Sequence, residues 1–441
     1  MLSELKPLLR IASPIILGEI GWMAMGIVDT LMVGPLGPAA IGATGIGSSL
    51  FFAVATFAMG LMLGVDTLVA QAYGARRLDE CLRWFHHGLA LAVAVTPAVM
   101  LTTWGLVLTI GWWGLHPDIG PLAGRYLAIT TLGTLPLMLY ASVRRYLHGL
   151  HIVGPMVAAL LSANLINAAG NWVLIYGNLG APALGVEGSA WATVAARVYM
   201  AVFIWIAVVR IHRRRGAAHP RVPVAIERAR MKRLVDIGLP AASQIALEVG
   251  AFATSTTLAG KLDPVASASH QIALNIASLA FMVPLGLSSA SAVRVGHAVG
   301  AGDARRTIVA GWTAFATGAC LMVVTGTVML VWREPIVGAF TSDTRVIDIG
   351  MSLVVIGAAF QMVDGTQAVA TGVLRGIGET RMPMYMNVIG HWMLGLPAGY
   401  LLCFVFGWGV RGLWFGLATG LTFAALTLTA VWARRARQMA A

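Results

Sequence analysis

The segment TIVAGWTAFATGACLMVVTGTVMLVW, residues 307–332, contains neither a charged residue nor a proline. A helix needs roughly 20 consecutive apolar residues to cross the hydrocarbon core of a bilayer, and this segment is longer than that. The strict alternation of apolar and polar residues that marks the strands of transmembrane barrels is absent from it. The sequence therefore predicts a membrane-spanning helix at this position.

The rest of the chain has the same character. Of its 441 residues, 58% are hydrophobic and only 11% are charged, and the mean hydropathy is +0.80, well outside the range of soluble proteins. We predict an all-α integral membrane protein, because in lipid each backbone polar group must find its partner within a helix. Twelve spans are predicted, at 11–34, 44–72, 86–111, 124–143, 155–177, 188–209, 235–258, 266–293, 308–332, 349–373, 383–407 and 412–433.

The first ten residues, MLSELKPLLR, precede an apolar run and resemble the start of a signal peptide. No small-residue cleavage site follows them, and Asp29 interrupts the run. We therefore predict an uncleaved first helix.

Lysine and arginine indicate how the spans are oriented, because short basic loops stay on the cytoplasmic side. Placing both termini and every even-numbered loop inside puts 24 of the 30 basic residues in cytoplasmic segments, five in external loops and Arg197 within a span. Orientation beside anionic lipid explains the net charge of +12, so no nucleic-acid partner is indicated. We expect a multi-pass protein of the cell inner membrane with both termini in the cytoplasm.

The chain contains an internal repeat. Residues at matching positions recur at an offset of 226, which drifts between 228 and 224 towards the end of each half. The matches are Pro14 with Pro240, Leu36 and Pro38 with Leu262 and Pro264, Gly60 with Gly286, Val69–Ala75 with Val295–Ala301, Gly149 with Gly376, Pro155 with Pro383, and Gly185, Val186 and Gly188 with Gly409, Val410 and Gly412. The sequence therefore predicts a duplicated six-helix unit.

Each repeat has an even number of spans, so both have the same orientation and their symmetry axis follows the membrane normal. We predict two six-helix lobes, residues 1–211 and 234–441, related by pseudo-two-fold symmetry. Between them lies HRRRGAAHPRVPVAIERARMKR, residues 212–233, whose charge and prolines indicate a solvated cytoplasmic linker. Rocking of the two lobes about a midplane cavity is the mechanism that such repeats favour.

Three carboxylates, Asp29, Glu248 and Asp364, lie well inside predicted spans. An ionised group at the bilayer centre costs about 2.5 to 3.5 kcal/mol on insertion scales and usually marks an ion or substrate pathway. The repeat duplicates none of them. One acid therefore belongs to the first lobe and two belong to the second, which predicts unequal sites.

Four groups of residues also support a family resemblance. They are Met25-Gly26-x-x-Asp29-Thr30-x-Met32-x-Gly34; Val69-Ala70-Gln71-x-x-Gly74-Ala75; His270-Gln271-Ile272-Ala273 with Pro284-Leu285-Gly286; and Phe360-Gln361-x-x-Asp364-Gly365 with Leu374-Arg375-Gly376. Together they resemble the multidrug and toxic compound extrusion (MATE) family over essentially the whole chain. Glu248 in the seventh span with Asp364 in the tenth resembles the NorM-type branch of that family.

The resemblance implies an antiporter that exports organic cations and aromatic drugs in exchange for Na⁺ or H⁺, with no nucleotide and no cofactor. The sequence agrees, since it contains no GxxxxGK[ST] phosphate loop, no GxSxG elbow and no HExxH motif. The cysteines lack the spacing of a disulfide framework or a zinc site. We expect a monomer in the lipid bilayer that acts on small molecules and is not an enzyme.

Polar residues accompany the two acids of the second lobe. A stripe on the seventh span and another on the tenth recur at helical spacing, and the eighth span adds further donors and acceptors. Such a cluster can hold Na⁺ through carboxylate, amide, carbonyl and water oxygens, by analogy with other hard cations, or it can bind and release a proton; the sequence leaves both open. The residues are Ser243, Gln244, Glu248, Phe252 and Ser255; Gln361, Asp364, Gln367 and Thr371; and His270, Gln271, Asn275 and Ser278.

The first lobe has a smaller polar set. Asn164, Asn167 and Asn171 lie on the fifth predicted span and Thr193 lies on the sixth. The resemblance implies that Asp29, Asn167 and Asn171 form a first-lobe site. The alternative is that these asparagines only join neighbouring helices by hydrogen bonds.

Several other polar residues have plainer interpretations. We expect Glu19 to form an interhelical hydrogen bond or line a cavity, Asp66 to reach water, and Arg197 to pair with an acid. We expect His270 to be a satisfied core histidine, with a role in the cavity as the less favoured alternative. His391 stands where the NorM pattern more usually has tyrosine; it either tunes coupling or packs against its neighbours Trp392 and Asn387.

Fourteen tryptophans and 21 methionines suit a promiscuous drug cavity, but most are expected to face lipid. Trp22, Met25, Phe252 and Phe360 share helix faces with the acids and are the candidates for cavity walls. The tryptophans at the ends of spans fit an interfacial aromatic belt. They are Trp112, Trp113, Trp332, Trp408 and Trp432.

Two other functions remain as alternatives. A flippase for lipid-linked precursors would need a large cationic cavity for pyrophosphate, whereas the predicted cavity residues are acidic. A membrane-embedded transferase would need acids and histidines clustered near a membrane surface, whereas these acids lie on three separated helices. The antiporter is the interpretation that fits the acids.

Overall fold

The computed structural model describes residues 2–215 and 222–440, and within them the chain is helical with no β-strand. Eleven of the described helices are long and apolar enough to cross a membrane, and a bent pair supplies a twelfth span. In the first half the helices are Leu2–Val33, Pro38–Leu61 continued by Leu63–Gly74, Leu78–Thr109, Gly120–Leu132 with Thr134–Gly149, Gly154–Tyr176 and Val186–Arg215.

The second half repeats this order. Its helices are Arg228–Ala259, Pro264–Gly300, Ala304–Val331, Thr344–Gly376, the composite span Arg381–Val405 and Val410–Ala440, with a short helix Arg333–Gly338 before the tenth span. The predicted all-α class is confirmed. The helices extend past the predicted spans at most ends, because charged and polar turns continue them beyond the apolar stretch that hydropathy detects.

The predicted repeat is visible in the helix ends. The first helix, Leu2–Val33, and the seventh, Arg228–Ala259, are separated at both ends by the offset of the sequence repeat. The second span, Pro38–Gly74, and the eighth, Pro264–Gly300, have the same offset at both ends. Two copies of one helical pattern thus underlie the fold.

The fourth span is broken. Gly120–Leu132 and Thr134–Gly149 meet at Gly133 with a bend of 51°. A Cβ on Gly133 would lie 3.0 Å from Cδ of Arg197, so the absence of a side chain leaves room for that arginine. A side chain at this position would therefore require Arg197 to shift by a few tenths of an ångström.

The eleventh span contains π-helical turns at Val388–Gly395 and Leu401–Val405. It packs closely on the twelfth: a Cβ on Gly416 would lie 2.3 Å from the backbone of Gly399. Small residues allow this approach of two membrane helices. π-turns are rare and occur mostly at functional sites. The position of His391 within the first of them therefore favours a functional role for this residue.

The chain forms two compact units. One contains Leu17–Ala242, and the other contains Met1–Ile16 together with Ser243–Ala441. The first unit is built around a large apolar core from the second, third, fourth and sixth spans; the second has its own core around Trp414. The predicted lobe boundaries at 211 and 234 remain a prediction, and residues 216–221 of the predicted linker lie outside the described residues.

The aromatic-belt prediction is wrong for one tryptophan. Trp112, Trp113, Trp332 and Trp408 are exposed on the described surface, but Trp432 is fully buried. A Cβ on Gly311 would lie 2.1 Å from its indole ring, so Trp432 fills a space left by that glycine in the ninth span. Its position near the end of a span misled the prediction, because a long final helix continues past it to Ala440.

Candidate ion and substrate sites

In the first unit Asp29 is held by two side chains on two other helices. Nδ2 of Asn171 donates to Oδ1 of Asp29 at 2.7 Å, and the Thr193 hydroxyl donates to Oδ2 at 3.0 Å. Asn171 also donates to Oδ1 of Asn167 at 3.3 Å. Asp29, Asn167, Asn171 and Thr193 are all buried. The structure therefore brings the predicted first-lobe set together, and both carboxylate oxygens have protein donors.

Arg197 lies one helical turn beyond Thr193 and is 8% exposed. Its Nη1 donates to the Thr130 carbonyl at 2.9 Å, and its guanidinium carbon lies 4.1 Å from the ring centroid of Phe51. Among the described residues no carboxylate is in ion-pair contact with it, and the acid whose charge acts on it is Asp29. The expected direct ion pair is therefore wrong: the cation is held by a carbonyl and an aromatic face instead.

Tyr126 is a member of this cluster that the sequence did not reveal. It is buried on the fourth span, beside the Thr193 hydroxyl and within electrostatic range of Asp29 and Arg197. Its neighbours along the chain follow no polar periodicity. Only the three-dimensional packing places its phenol at the acid.

In the second unit the two acids lie in one cluster. Asp364 is buried at 5% exposure, and Glu248 is partly exposed and carries its charge within electrostatic range of Asp364. Gln367 lies beside Glu248. Further along the same helices, Nε2 of Gln244 donates to the Thr371 hydroxyl at 3.2 Å. The predicted stripes on the seventh and tenth spans therefore face each other.

The second-unit cluster has unused hydrogen-bonding capacity. By strict hydrogen-bond geometry, Oδ1 of Asp364 and both amide atoms of Gln361 and Gln367 have no partner among the residues that the structure describes. Gln361 is fully buried. A buried polar atom without a partner costs about 1–3 kcal/mol, so such a group invites a ligand, an ion or water. The Asp29 carboxylate differs in having protein donors on both oxygens, although Nδ2 of Asn167 and Oδ1 of Asn171 beside it also have no partner among the described residues.

His270 is engaged at both ring nitrogens. The Trp414 indole donates to its Nδ1 at 3.0 Å, and its Nε2 lies 3.1 Å from the Thr256 hydroxyl. These contacts join the seventh, eighth and twelfth spans. The structure places His270 as a satisfied core residue, with no nitrogen left for a substrate.

His391 is buried on the eleventh span. Its Nδ1 is 3.3 Å from the Asn387 carbonyl, and its ring centroid is 6.3 Å from that of Phe252, one turn beyond Glu248 on the seventh span. Its Nε2 has no hydrogen-bond partner among described residues. The neighbouring Trp392 instead donates to the Leu247 carbonyl at 3.0 Å.

The aromatic and methionine candidates fall into two groups. Met25 and Phe360 are buried, Met25 in the first-unit core and Phe360 against Trp414 with ring centroids 5.6 Å apart. Trp22 and Phe252 are partly exposed. Because they are partly exposed, Trp22 and Phe252 are better candidates than Met25 and Phe360 for residues that contact substrate.

Two further acids in the first unit are neutralised by arginines of the fourth span. Glu19 pairs with Arg144, as an interhelical contact. Asp66 was expected to reach water, but it is fully buried, with Oδ2 3.0 Å from Arg145 and Oδ1 3.7 Å from His148. That expectation was wrong because hydropathy locates an acid along a helix but cannot show which helix covers it.

Within 2–215 and 222–440, no three His, Cys, Asp or Glu side chains cluster as a metal site. A cation at Glu248 and Asp364 would therefore complete its shell with amide, hydroxyl or carbonyl oxygens or with water. Gln361, Gln367 and Thr371 supply such oxygens on the same helix as Asp364. The donor set suits a hard cation and lacks the imidazole and thiolate ligands that softer metals prefer.

Two six-helix repeats with buried carboxylates at the depth of the bilayer define a membrane transporter of the parallel-repeat class. The chain belongs to the MatE family, whose model matches residues 14–173 and 240–401, one block in each repeat. The family predicted from the four motifs is confirmed. Proteins of this family are transporters rather than enzymes and need no cofactor.

Curated relatives resemble the chain over nearly its whole length. The probable multidrug resistance protein NorM of Mesorhizobium japonicum is 37% identical over 445 residues, covering 99% of this chain and 95% of the relative. The multidrug resistance protein NorM of Burkholderia vietnamiensis is 34% identical, covering 95% and 91%. The NorM-type likeness thus extends beyond the quoted motifs.

Solved structures share the fold. The crystal structure of the eukaryotic MATE transporter AtDTX14 superposes with a TM-score of 0.88 at 23% identity, covering 99% of this chain and 98% of the other. An outward-facing multidrug resistance MATE family transporter of the MOP superfamily gives 0.87 at 20% identity, covering 99% and 96%. These likenesses confirm the twelve-span, two-lobe fold.

Proposed function

We propose that the protein is a secondary active efflux antiporter that exports organic cations and aromatic drugs in exchange for Na⁺ or H⁺. Membership of the MatE family and the multidrug resistance names of its relatives support the export of drugs. Ion and drug occupancy compete, through shared carboxylates or through opposed preferences for two conformations. The two lobes alternate access by a rocker-switch motion.

The unsatisfied polar cluster around Asp364 carries this proposal. One oxygen of its carboxylate and both amide atoms of Gln361 are buried without hydrogen-bond partners among the described residues. A second acid, Glu248, acts on the same space. An ion bound here would interact with all of these polar atoms. Ion binding would therefore strongly lower the free energy of the second lobe.

The charge balance favours the second lobe over the first for ion coupling. Asp29 has Arg197 within electrostatic range and protein donors on both oxygens. Glu248 and Asp364 have no comparable arginine or lysine among described residues. The first cluster is near neutral when empty, whereas two ionised acids in the second would attract a cation.

The remaining features of the proposal concern placement in the cell. We propose a monomer with lobes at 1–211 and 234–441, a cytoplasmic linker at 212–233, and both termini in the cytoplasm of the inner membrane. The distribution of lysine and arginine supports this orientation. Labelling of single cysteines placed in successive loops with a membrane-impermeant reagent would measure it.

Efflux in reconstituted vesicles tests the proposed activity and identifies the ion. We expect a fluorescent cationic dye to move against its gradient when a sodium or a proton gradient is imposed alone, and not when both are absent. Dependence on one gradient only would identify the coupling ion. Dye movement that requires ATP, or no movement with either gradient, would contradict the proposal.

His391→Gln tests whether the imidazole tunes coupling. The substitution keeps polarity and approximate volume but removes a titratable group that lies near the Glu248 helix through Phe252. We expect the pH profile of dye efflux to change, because the variant has lost the titratable imidazole. An unchanged profile would refute the hypothesis and leave His391 as a packing residue; His270→Gln, at a fully engaged histidine, is the matched control for loss of a buried imidazole.

A further inference from the structure

Two ion pairs at the starts of helices are related by the sequence repeat. Within the unit that contains Leu17–Ala242, Arg230 at the start of the seventh helix pairs with Glu80 at the start of the third. Within the other unit, Glu4 at the start of the first helix pairs with Arg306 at the start of the ninth, Oε1 to Nε 3.0 Å. In the sequence repeat Glu4 corresponds to Arg230, and Glu80 corresponds to Arg306. The two ion pairs therefore occupy equivalent positions, but the acid and the base have changed places.

The backbone contacts beside these pairs are duplicated too. A Cβ on Gly60 would lie 2.7 Å from Cα of Ala242, and a Cβ on Gly286 would lie 2.9 Å from Cα of Ile16. Gly60 and Gly286 are repeat mates, and so are Ile16 and Ala242. Both contacts require glycine and allow two helices to approach closely.

These contacts define two arms. Arm 1 is Leu2–Ile16 and arm 2 is residues 228–242, the first turns of the first and seventh helices. Each arm packs in a compact unit whose other helices come from the opposite sequence half. The unit boundaries, after Ile16 and after Ala242, also fall at matching positions of the repeat, so the exchange of arms is reciprocal.

Each arm is held by more than one charged contact. Glu4 is bound by Arg294 as well as Arg306, and the carboxylate is largely buried. On arm 2, Arg230 binds Glu80 and also lies over the ring of Trp84 at 5.4 Å. Charge-assisted hydrogen bonds in partly buried surroundings are stronger than surface pairs and depend on geometry.

The exchange of charges assigns each arm to its own acceptor. Glu4 of arm 1 meets two arginines, and Arg230 of arm 2 meets a glutamate. Arm 1 at the arm 2 acceptor would bring Glu4 towards Glu80, and arm 2 at the arm 1 acceptor would bring Arg230 towards Arg294 and Arg306. Two otherwise similar repeats are thus prevented from exchanging partners by like-charge repulsion.

We infer that the two arms are paired conformational latches, which dock through these charge-exchanged contacts and release during each transport cycle. This inference rests on the proposed alternating access with each sequence half moving as one body together with its own arm, so that rocking breaks contacts in which one half holds the arm of the other. All four helix starts lie on the predicted cytoplasmic side. The latches therefore stabilise one of the two access states on that side.

Hydrogen exchange of the purified full-length protein tests the docked state without any transport assay. We expect Glu4→Gln to raise exchange in residues 2–16, and Glu80→Gln to raise it in 228–242, each by about fivefold or more, since local opening reports local stability. Asp343→Asn is the matched control, because the Asp343–Arg345 pair joins exposed side chains within one turn. Equal exchange of the arms in wild type and both variants would overturn the inference.

A reversible cross-link tests release during transport. In a variant without Cys81, Cys320 and Cys403, Glu4→Cys and Arg306→Cys are joined by a short reducible thiosulfonate linker, and dye efflux is measured before and after reduction. We expect efflux to be lost on linking and restored on reduction, while a linked Asp343→Cys, Arg345→Cys protein transports normally. Full efflux by the linked arm variant overturns the latch.

The two failures can be distinguished. If the wild-type protein moves no dye under either gradient, the proposed function fails. If the parent transports and the linked arm does not change the rate, only the latch fails. The hydrogen-exchange experiment measures the docking of the arms in either case, because it does not depend on transport.

Discussion

Asp364→Asn should abolish ion-driven dye efflux while the protein remains folded in the membrane. Asparagine keeps the size and one oxygen of the side chain but cannot carry the negative charge that would bind Na⁺ or take up a proton. The buried site would then lack half of the acid pair with Glu248. Folding is expected to persist, because a neutral amide costs less at membrane depth than a carboxylate does.

The measurement is initial efflux rate in vesicles containing equal amounts of protein, with thermal unfolding in detergent as the test of folding. Asp118→Asn, at a highly exposed aspartate, is the matched control and should transport normally. Retention of full gradient-driven efflux by Asp364→Asn would refute the second-lobe site. Loss of efflux together with loss of folded protein would call for Gln361→Leu, which removes an unpartnered amide and leaves both acids in place.

Asp29→Asn should instead destabilise the protein, by about 1–3 kcal/mol, and Arg197→Gln should restore most of that loss when the two are combined. Arg197 is 8% exposed and contacts a carbonyl and an aromatic ring, so Asp29 is the acid that balances its charge. Neutralising Asp29 alone strands a desolvated guanidinium. Neutralising both removes the imbalance.

Fluorescence-detected unfolding of the wild type, both single variants and the double variant completes a double-mutant cycle. The coupling between the two sites should be clearly favourable, and Asp364→Asn, which strands no arginine, should cause a smaller loss. A double variant as unstable as the sum of the two single variants would show that the charges act independently. The charge-balance argument for the first lobe would then fail.

The fold was largely predictable because two strong signals agree. Runs such as 307–332 require helices in lipid, and the internal repeat requires two copies of their arrangement. Helix ends were less predictable. A hydropathy profile detects only the apolar stretch, whereas the hydrogen bonds of the helix backbone continue into the charged turns beyond it. The room for Arg197 beside Gly133 is a long-range contact, which no local pattern could supply.

The sites were predictable where membrane depth alone selects a residue. Asp29, Asn171 and Thr193 meet as the motifs and spacing suggested, and Glu248 and Asp364 share one cluster. Tyr126 and the contacts of Arg197 were missed because aromatic and cationic side chains reach across helices in directions that sequence spacing does not encode. Asp66 and Trp432 failed for a related reason, because which helix covers a residue is a property of packing.

The π-turns of the eleventh span have an evolutionary consequence. A single inserted residue in a helix is absorbed as a π-turn and rotates every later side chain by about 100°, the angle of one residue in 3.6 per turn. The eleventh span has 25 residues against 23 in its mate, Gly154–Tyr176. Small insertions of this kind give a duplicated gene a way to turn one helix towards new chemistry while the other copy keeps the old register.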